Sequence, residues 1–329
     1  MTSLYRTIIT KAWEITKRYK VLWFFGFFAA LLGNAGEFQT LFKQIERIKN
    51  QPELLSSLSQ GLTLWGQALT GIWQLPLVNI LAIILTLLFI ALIILIIIWL
   101  AITSQVAIIK NTEKIENGKD KTVNFKTSWT EGAKYFWPAL GLNALAKVII
   151  FLILTLLVTP LLIVMIAKGS ALTTIVTLLT IVIFVPLAII ITFVTKYAVA
   201  FVVLQGQRFW EAFQNGWRLF AANWLISIEM ALIVLVINLA LTFLVLLAAI
   251  VIISPFIIIG LTSSIVQVFF TFFGMALIIA SLVFIFCAAV FSTWQNSAWT
   301  LLFMRLNSGG AYAKIVRWVA SKIAKKENK

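Results

Sequence analysis

Five uninterrupted apolar runs dominate this chain: Leu77 to Ile109, Val148 to Ala167, Ala171 to Thr195, Trp224 to Ile253 and Val266 to Val290. A hydrocarbon core of about 30 Å takes about 20 helical residues at 1.5 Å each, so each run is long enough to span it. A spanning segment must satisfy its own backbone polar groups, which leaves the α-helix for runs of this kind. The chain is 62% hydrophobic and 11% charged, where a soluble domain is closer to half and a quarter. The expected fold class is therefore all-α, a polytopic integral membrane protein forming a single transmembrane domain over residues 1–329.

A sixth span is expected over 21–36. Its apolar part, Val21 to Leu32, is short and borrows Gly33 to Gly36 to reach across. A signal peptide cut after Ala35 is the competing reading, against which stands the 20-residue basic leader. The charge pattern also favours a span. With six spans at about 21–36, 77–109, 148–167, 171–195, 224–253 and 266–290, one side of the membrane receives 20 of the 26 Lys and Arg residues. Cytoplasmic loops retain such charges, so both termini are expected inside, in a bacterial inner (cytoplasmic) membrane. The net charge of +15 then reports a membrane face rather than nucleic-acid binding.

Several runs exceed the bilayer: Leu77 to Ile109 would be about 50 Å long as a helix. Such helices tilt or continue into the headgroup layer, where Trp99, Lys196 and Trp294 would anchor them. Segment 38–75 places Phe38, Leu41, Phe42, Ile45 and Ile48 at helical spacing, which predicts an amphipathic segment on the outer face. The basic tail, 305–329, can put Ile315, Trp318, Val319 and Ile323 on one face and Lys314, Arg317, Lys325 and Lys326 toward anionic headgroups.

An internal repeat is expected at an offset of 84 residues. FKTSWTEGAKYF aligns with FWEAFQNGWRLF, matching Phe125, Trp129, Gly132 and Phe136 with Phe209, Phe213, Gly216 and Phe220. In helical register the first set forms one stripe, with Lys126, Glu131 and Lys134 facing away; chance matching in a Phe-rich chain is the competing explanation. The stretch AWEITKRYKVLWFFG offers a third copy, with Trp13 and Arg18 in place of Phe213 and Arg218. Three successive units follow, each an interfacial amphipathic helix and a hairpin of two spans.

The segment KYAVAFVVL followed by QGQRFWEAFQNGWRLFAANW resembles a group of bacterial six-helix membrane proteins of unknown function. That group is related to the membrane domain attached to some glycerophosphoryl diester phosphodiesterases. The resemblance implies a fold class and carries no activity, because the His and acidic residues of such an enzyme are missing.

Ionisable residues inside spans are the default functional positions. Lys147, Lys196 and Glu229 qualify, and the 84-residue offset sets Lys147 opposite Ala231, close in depth to Glu229. A charge cluster pairing Glu229 with Lys147 or Lys196 is expected; the alternative is lysines that snorkel to headgroups while Glu229 faces a shallow aqueous dent. Gln105, Asn143, Gln295 and Asn296 add hydrogen-bonding capacity, and Ser104, Ala198 and Ser297 would let helices approach closely.

The chain has no His and a single Cys, Cys287, so disulfide scaffolds, zinc sites and histidine-based catalysis have no material. No phosphate-cradling glycine motif occurs. No cofactor, metal or catalytic residue is expected. The expected role is non-catalytic, a membrane scaffold or lipid-interacting component of a larger assembly whose partners are lipids, anionic headgroups and either other proteins or copies of itself. The alternative is a transport permease subunit. Glu211 and Ala212 resemble the start of the cytoplasmic helix by which permeases meet their ATPase, but Gly216 follows one position too soon.

Overall fold

The computed structural model describes residues 4–32, 60–61, 63–64, 66–67, 76–119, 123–166, 170–262 and 266–309. In chain order the helices are α1 (Leu4–Arg18), α2 (Val21–Ala30), α3 (Leu77–Glu116), α4 (Phe125–Lys134), α5 (Phe136–Ile166), α6 (Ser170–Gln205), α7 (Phe209–Ala222), α8 (Trp224–Thr262) and α9 (Val266–Asn307). Five of them, α3, α5, α6, α8 and α9, are long and apolar enough to cross a membrane. Each continues well past the apolar run that predicted it. Helix α3, for example, has 40 residues, because the stretch 101–112 is largely buried among neighbours and carries the helix on.

The first of the six expected spans lies only partly within the described residues. Helix α2 has ten residues, about 15 Å, roughly half a bilayer core. Residues 33–36, on which a full crossing depends, lie outside the described residues, as do most of segment 38–75 and the tail beyond Gly309.

Local sequence explains where the shorter helices start and stop. Asn124 caps α4: its Oδ1 accepts the Thr127 backbone N–H at 2.8 Å, and Thr127 Oγ1 reaches back to the Asn124 N–H at 3.4 Å. Helix α7 carries Glu211 in its first turn, where the macrodipole favours an anion. Gly118 ends α3 at φ +72°, with the Lys119 N–H reaching the Lys114 carbonyl and the Gly118 N–H reaching that of Ile115. An L-residue is strained there, so Gly118→Ala should lower stability by about 1 kcal/mol in a thermal-denaturation series in detergent. Pro160, Pro186 and Pro255 lie inside α5, α6 and α8, where other groups must satisfy the freed carbonyls.

The chain divides into two compact units. One comprises Leu32–Leu100 and Ile150–Leu187. It is made of apolar helix, with Phe184 buried and most large side chains of the α3 segment exposed, as expected of a lipid-facing surface. The other comprises Met1–Leu31, Ala101–Ile149 and Ala188–Lys329 and holds most of the buried core. Its centre is where the polar-ended halves of α3, α6 and α9 meet. Thr112 Oγ1 lies 3.1 Å from Ser297 Oγ, joining α3 to α9, and the Phe201 and Phe303 rings pack edge to face at 4.8 Å, joining α6 to α9. Helices α1, α4 and α7 lie around this centre.

Candidate functional site

The three amphipathic helices bury small side chains four residues apart, on the same helical face. In α1 these are Ala12 and Thr16, in α4 Ser128 and Gly132, and in α7 Ala212 and Gly216. The second and third pairs stand 84 residues apart, and the first aligns with the third where Trp13 aligns with Phe213. A Cβ added at Gly132 would strike the Thr103 carbonyl oxygen of α3. One added at Gly216 would lie 2.9 Å from the Val194 oxygen and the Ala198 nitrogen of α6. In both cases an amphipathic helix rests on residues four apart near the polar end of the long helix before it, Thr103 and Ala107 in α3 and Val194 and Ala198 in α6. Helix α1 rests on α9, where the Trp294 Nε1–H points to the Ile9 carbonyl at 3.4 Å.

The aromatic positions flank this contact. Phe125 stacks on Phe25 at 5.5 Å and on Trp129 at 6.0 Å, tying α4 to α2, while Phe220 stacks on Phe193 at 5.7 Å. Phe209 packs against Gly141 of α5, and Phe213 lies beside Trp210. Phe136 falls beyond α4, at the first position of α5. Glu131, expected to face away, turns back to α3 and pairs with Lys114 at 2.6 Å, because Ser128 and Gly132 rather than the aromatic rings set the buried face. Exposed Trp13, Trp210 and Trp217 line the outer faces of α1 and α7.

Glu116, at the end of α3, has an 18% exposed side chain and meets both Lys11 of α1 at 2.9 Å and Arg305 of α9 at 3.3 Å. Nothing in the sequence pattern points to this three-helix ion pair, whose members lie 105 and 189 residues apart. Glu116→Gln should lower stability by about 1 kcal/mol, and by less at high salt, in the same denaturation series.

The three ionisable residues expected within spans lie on α5, α6 and α8. Glu229 of α8 accepts a hydrogen bond from the Tyr5 hydroxyl of α1. Lys147 lies on an exposed face of α5. The Lys196 ammonium of α6 sits 4.4 Å from the centroid of the Trp299 ring in α9. Sequence reasoning did not find Tyr5 or Trp299, since an aromatic residue in an aromatic-rich chain carries no sign of the charge it meets.

Lys196 and Trp299 belong to a partly open cavity of about 20 Å³, lined also by Gln105 of α3 and by Tyr197, Ala200, Asn296 and Thr300. Three of the polar residues noted in the sequence gather here. The Asn143 Nδ2 donates to Gln105 Oε1 at 3.1 Å, and Asn296 lines the cavity wall. The Asn296 amide donates to the Ser292 carbonyl at 2.9 Å. Beside the cavity, Tyr197 and Ser227 share a buried hydrogen bond of 2.7 Å between α6 and α8.

These features describe a helical chain with several helices long and apolar enough for a multi-pass membrane protein, with a small polar cavity among three of them. Compared with known protein families, curated proteins and solved structures, the chain matches none of them.

Proposed function

We propose that this chain is a six-span protein of the bacterial cytoplasmic membrane, with both termini inside, that serves as a non-catalytic, lipid-interacting scaffold within a larger assembly. It is built as three units, each an amphipathic helix followed by a helical hairpin. The observation that carries the reading is the small-residue face shared by α1, α4 and α7 at aligned positions. Helices held sideways against the polar ends of spans, with Trp13, Trp210 and Trp217 turned outward, suit the headgroup layer, where amphipathic aromatic rings are favoured. Lys and Arg concentrate in the segments that this arrangement places at one face, which suits anionic lipid.

The permease reading draws less support. Ala212 and Gly216, the small residues of its ATPase-docking pattern, are buried in this chain, Gly216 against α6, which leaves that face occupied.

Two measurements test the proposal. In a variant whose native Cys287 is replaced by alanine, Thr10→Cys should resist an impermeant thiol reagent added to intact cells and react once the cells are opened. Labelling from outside would refute the topology. Purification in native lipid followed by mass spectrometry should retain anionic phospholipid with the protein, whereas stoichiometric co-purification of an ATPase would replace the scaffold reading by the permease.

A further inference from the structure

The cavity among α3, α6 and α9 holds more hydrogen-bond donors and positive charge than its walls consume. Among the described residues no carboxylate lies within ion-pair distance of Lys196, and its ammonium rests on the Trp299 ring. A cation over an indole face recovers only part of the hydration it gives up. Trp299 is 6% exposed, and its Nε1–H is buried without a hydrogen-bond partner. Indole N–H is a donor only, and no described residue offers this one an acceptor. Gln105 gives its Oε1 to Asn143, which leaves its own amide N–H groups to donate. One cation and two donor groups on three helices form a site that lacks an anion.

Depth and size narrow the anion. Gln105 lies between Thr103 and Ala107, the residues against which α4 rests, and Lys196 lies between Val194 and Ala198, against which α7 rests. The cavity therefore opens at the level of the amphipathic helices. A volume of about 20 Å³ admits little more than one or two oxygen-sized groups. It suits oxygens presented by a group that remains largely outside, and it excludes a nucleotide or sugar.

We propose that this cavity binds a phosphate-type oxyanion, presented by the headgroup of an anionic phospholipid, through the Lys196 ammonium, the Trp299 N–H and the Gln105 amide. This inference rests on the lipid-interacting reading above and assigns that reading a specific site. Charge-assisted hydrogen bonds from a cation and a buried N–H to phosphate oxygens are the strong kind, which makes each donor measurable by removal.

The test is native mass spectrometry of the full-length chain in detergent, titrated separately with dioleoylphosphatidylglycerol, dioleoylphosphatidylcholine and inorganic phosphate. The wild-type chain should prefer phosphatidylglycerol to phosphatidylcholine. Lys196→Gln and Trp299→Phe should each weaken phosphatidylglycerol binding about tenfold, as expected for losing a hydrogen bond to a charged group. Lys196→Arg, which keeps the charge and also controls for folding, should retain it. Saturable phosphate binding that depends on Lys196, without phosphatidylglycerol binding, would keep the oxyanion site but assign it to a free anion and overturn the headgroup. Phosphatidylglycerol binding unchanged in both Lys196→Gln and Trp299→Phe would overturn the site while leaving the general lipid reading standing. Equal binding of the two lipids by the wild-type chain, unchanged in Lys196→Gln and without saturable phosphate binding, would overturn both.

Discussion

Substituting alanine at Gly132 is expected to destabilise the chain by about 3 kcal/mol, near the upper end for overpacking a tight contact. The added methyl group would strike the Thr103 carbonyl oxygen and press on the Thr103 and Ala107 side chains, all within α3. A side chain can rotate away, but a carbonyl inside a helix is fixed by its own hydrogen bond, so α4 must lift off α3. Lifting it also strains the buried 2.8 Å hydrogen bond from Asn111 Nδ2 to Ser128 Oγ and the Lys114–Glu131 pair. Gly216→Ala should behave alike on α6, with a smaller loss, since its nearest atoms are 2.9 Å away. Gly61→Ala, where an added methyl meets open space, serves as the control and should not destabilise the chain. The measurement is the thermal midpoint in one detergent. A Gly132→Ala variant as stable as the control would show that α4 does not rest on α3 as described.

Removing the Tyr5 hydroxyl is expected to have the second-largest effect. Tyr5→Phe keeps the ring, which is 4% exposed, and deletes only the donor that meets the Glu229 carboxylate. A partly buried carboxylate deprived of a hydrogen bond loses about 2 kcal/mol, because the desolvation of the charge continues without that compensation. Glu229→Gln should cost less than Tyr5→Phe, since a neutral amide is cheaper to leave under-bonded and its oxygen still accepts from the hydroxyl. The double variant should fall short of the sum of the two, as for any pair in direct contact. Strict additivity in thermal denaturation would mean that the hydroxyl and the carboxylate do not interact.

The five long helices were legible in the five apolar runs, because hydrocarbon leaves a greasy run of about 20 residues one acceptable backbone conformation, but their full lengths were not. Val21 to Leu32 was the weakest of those signals, and α2 covers ten of its residues. The 84-residue offset matched Gly132 with Gly216 along with the aromatic positions, but it passed over Ser128 and Ala212, which are buried beside them. Small residues score little in a hydrophobic pattern, and their value lies in what approaches them. Gln105, Asn143 and Asn296 stood out as polar residues in apolar surroundings, yet nothing in their spacing tied them to Lys196 or to one another.

Sequence alone determined that this chain is all-helical and that its long helices suit a bilayer, and it supplies no His and a single Cys. These follow from composition and local periodicity, which act on each segment separately. Tertiary structure decided the rest: Glu229 meets Tyr5 across 224 residues, Glu116 gathers Lys11 and Arg305, and Lys196 faces an indole. The physical reason is that the free energy of a buried charge is set by whichever groups packing brings within a few ångströms, and in a bundle of long helices that depends on rotation and axial stagger. A run of leucine and isoleucine leaves both undetermined, and close contacts at Gly132 and Gly216 fix them.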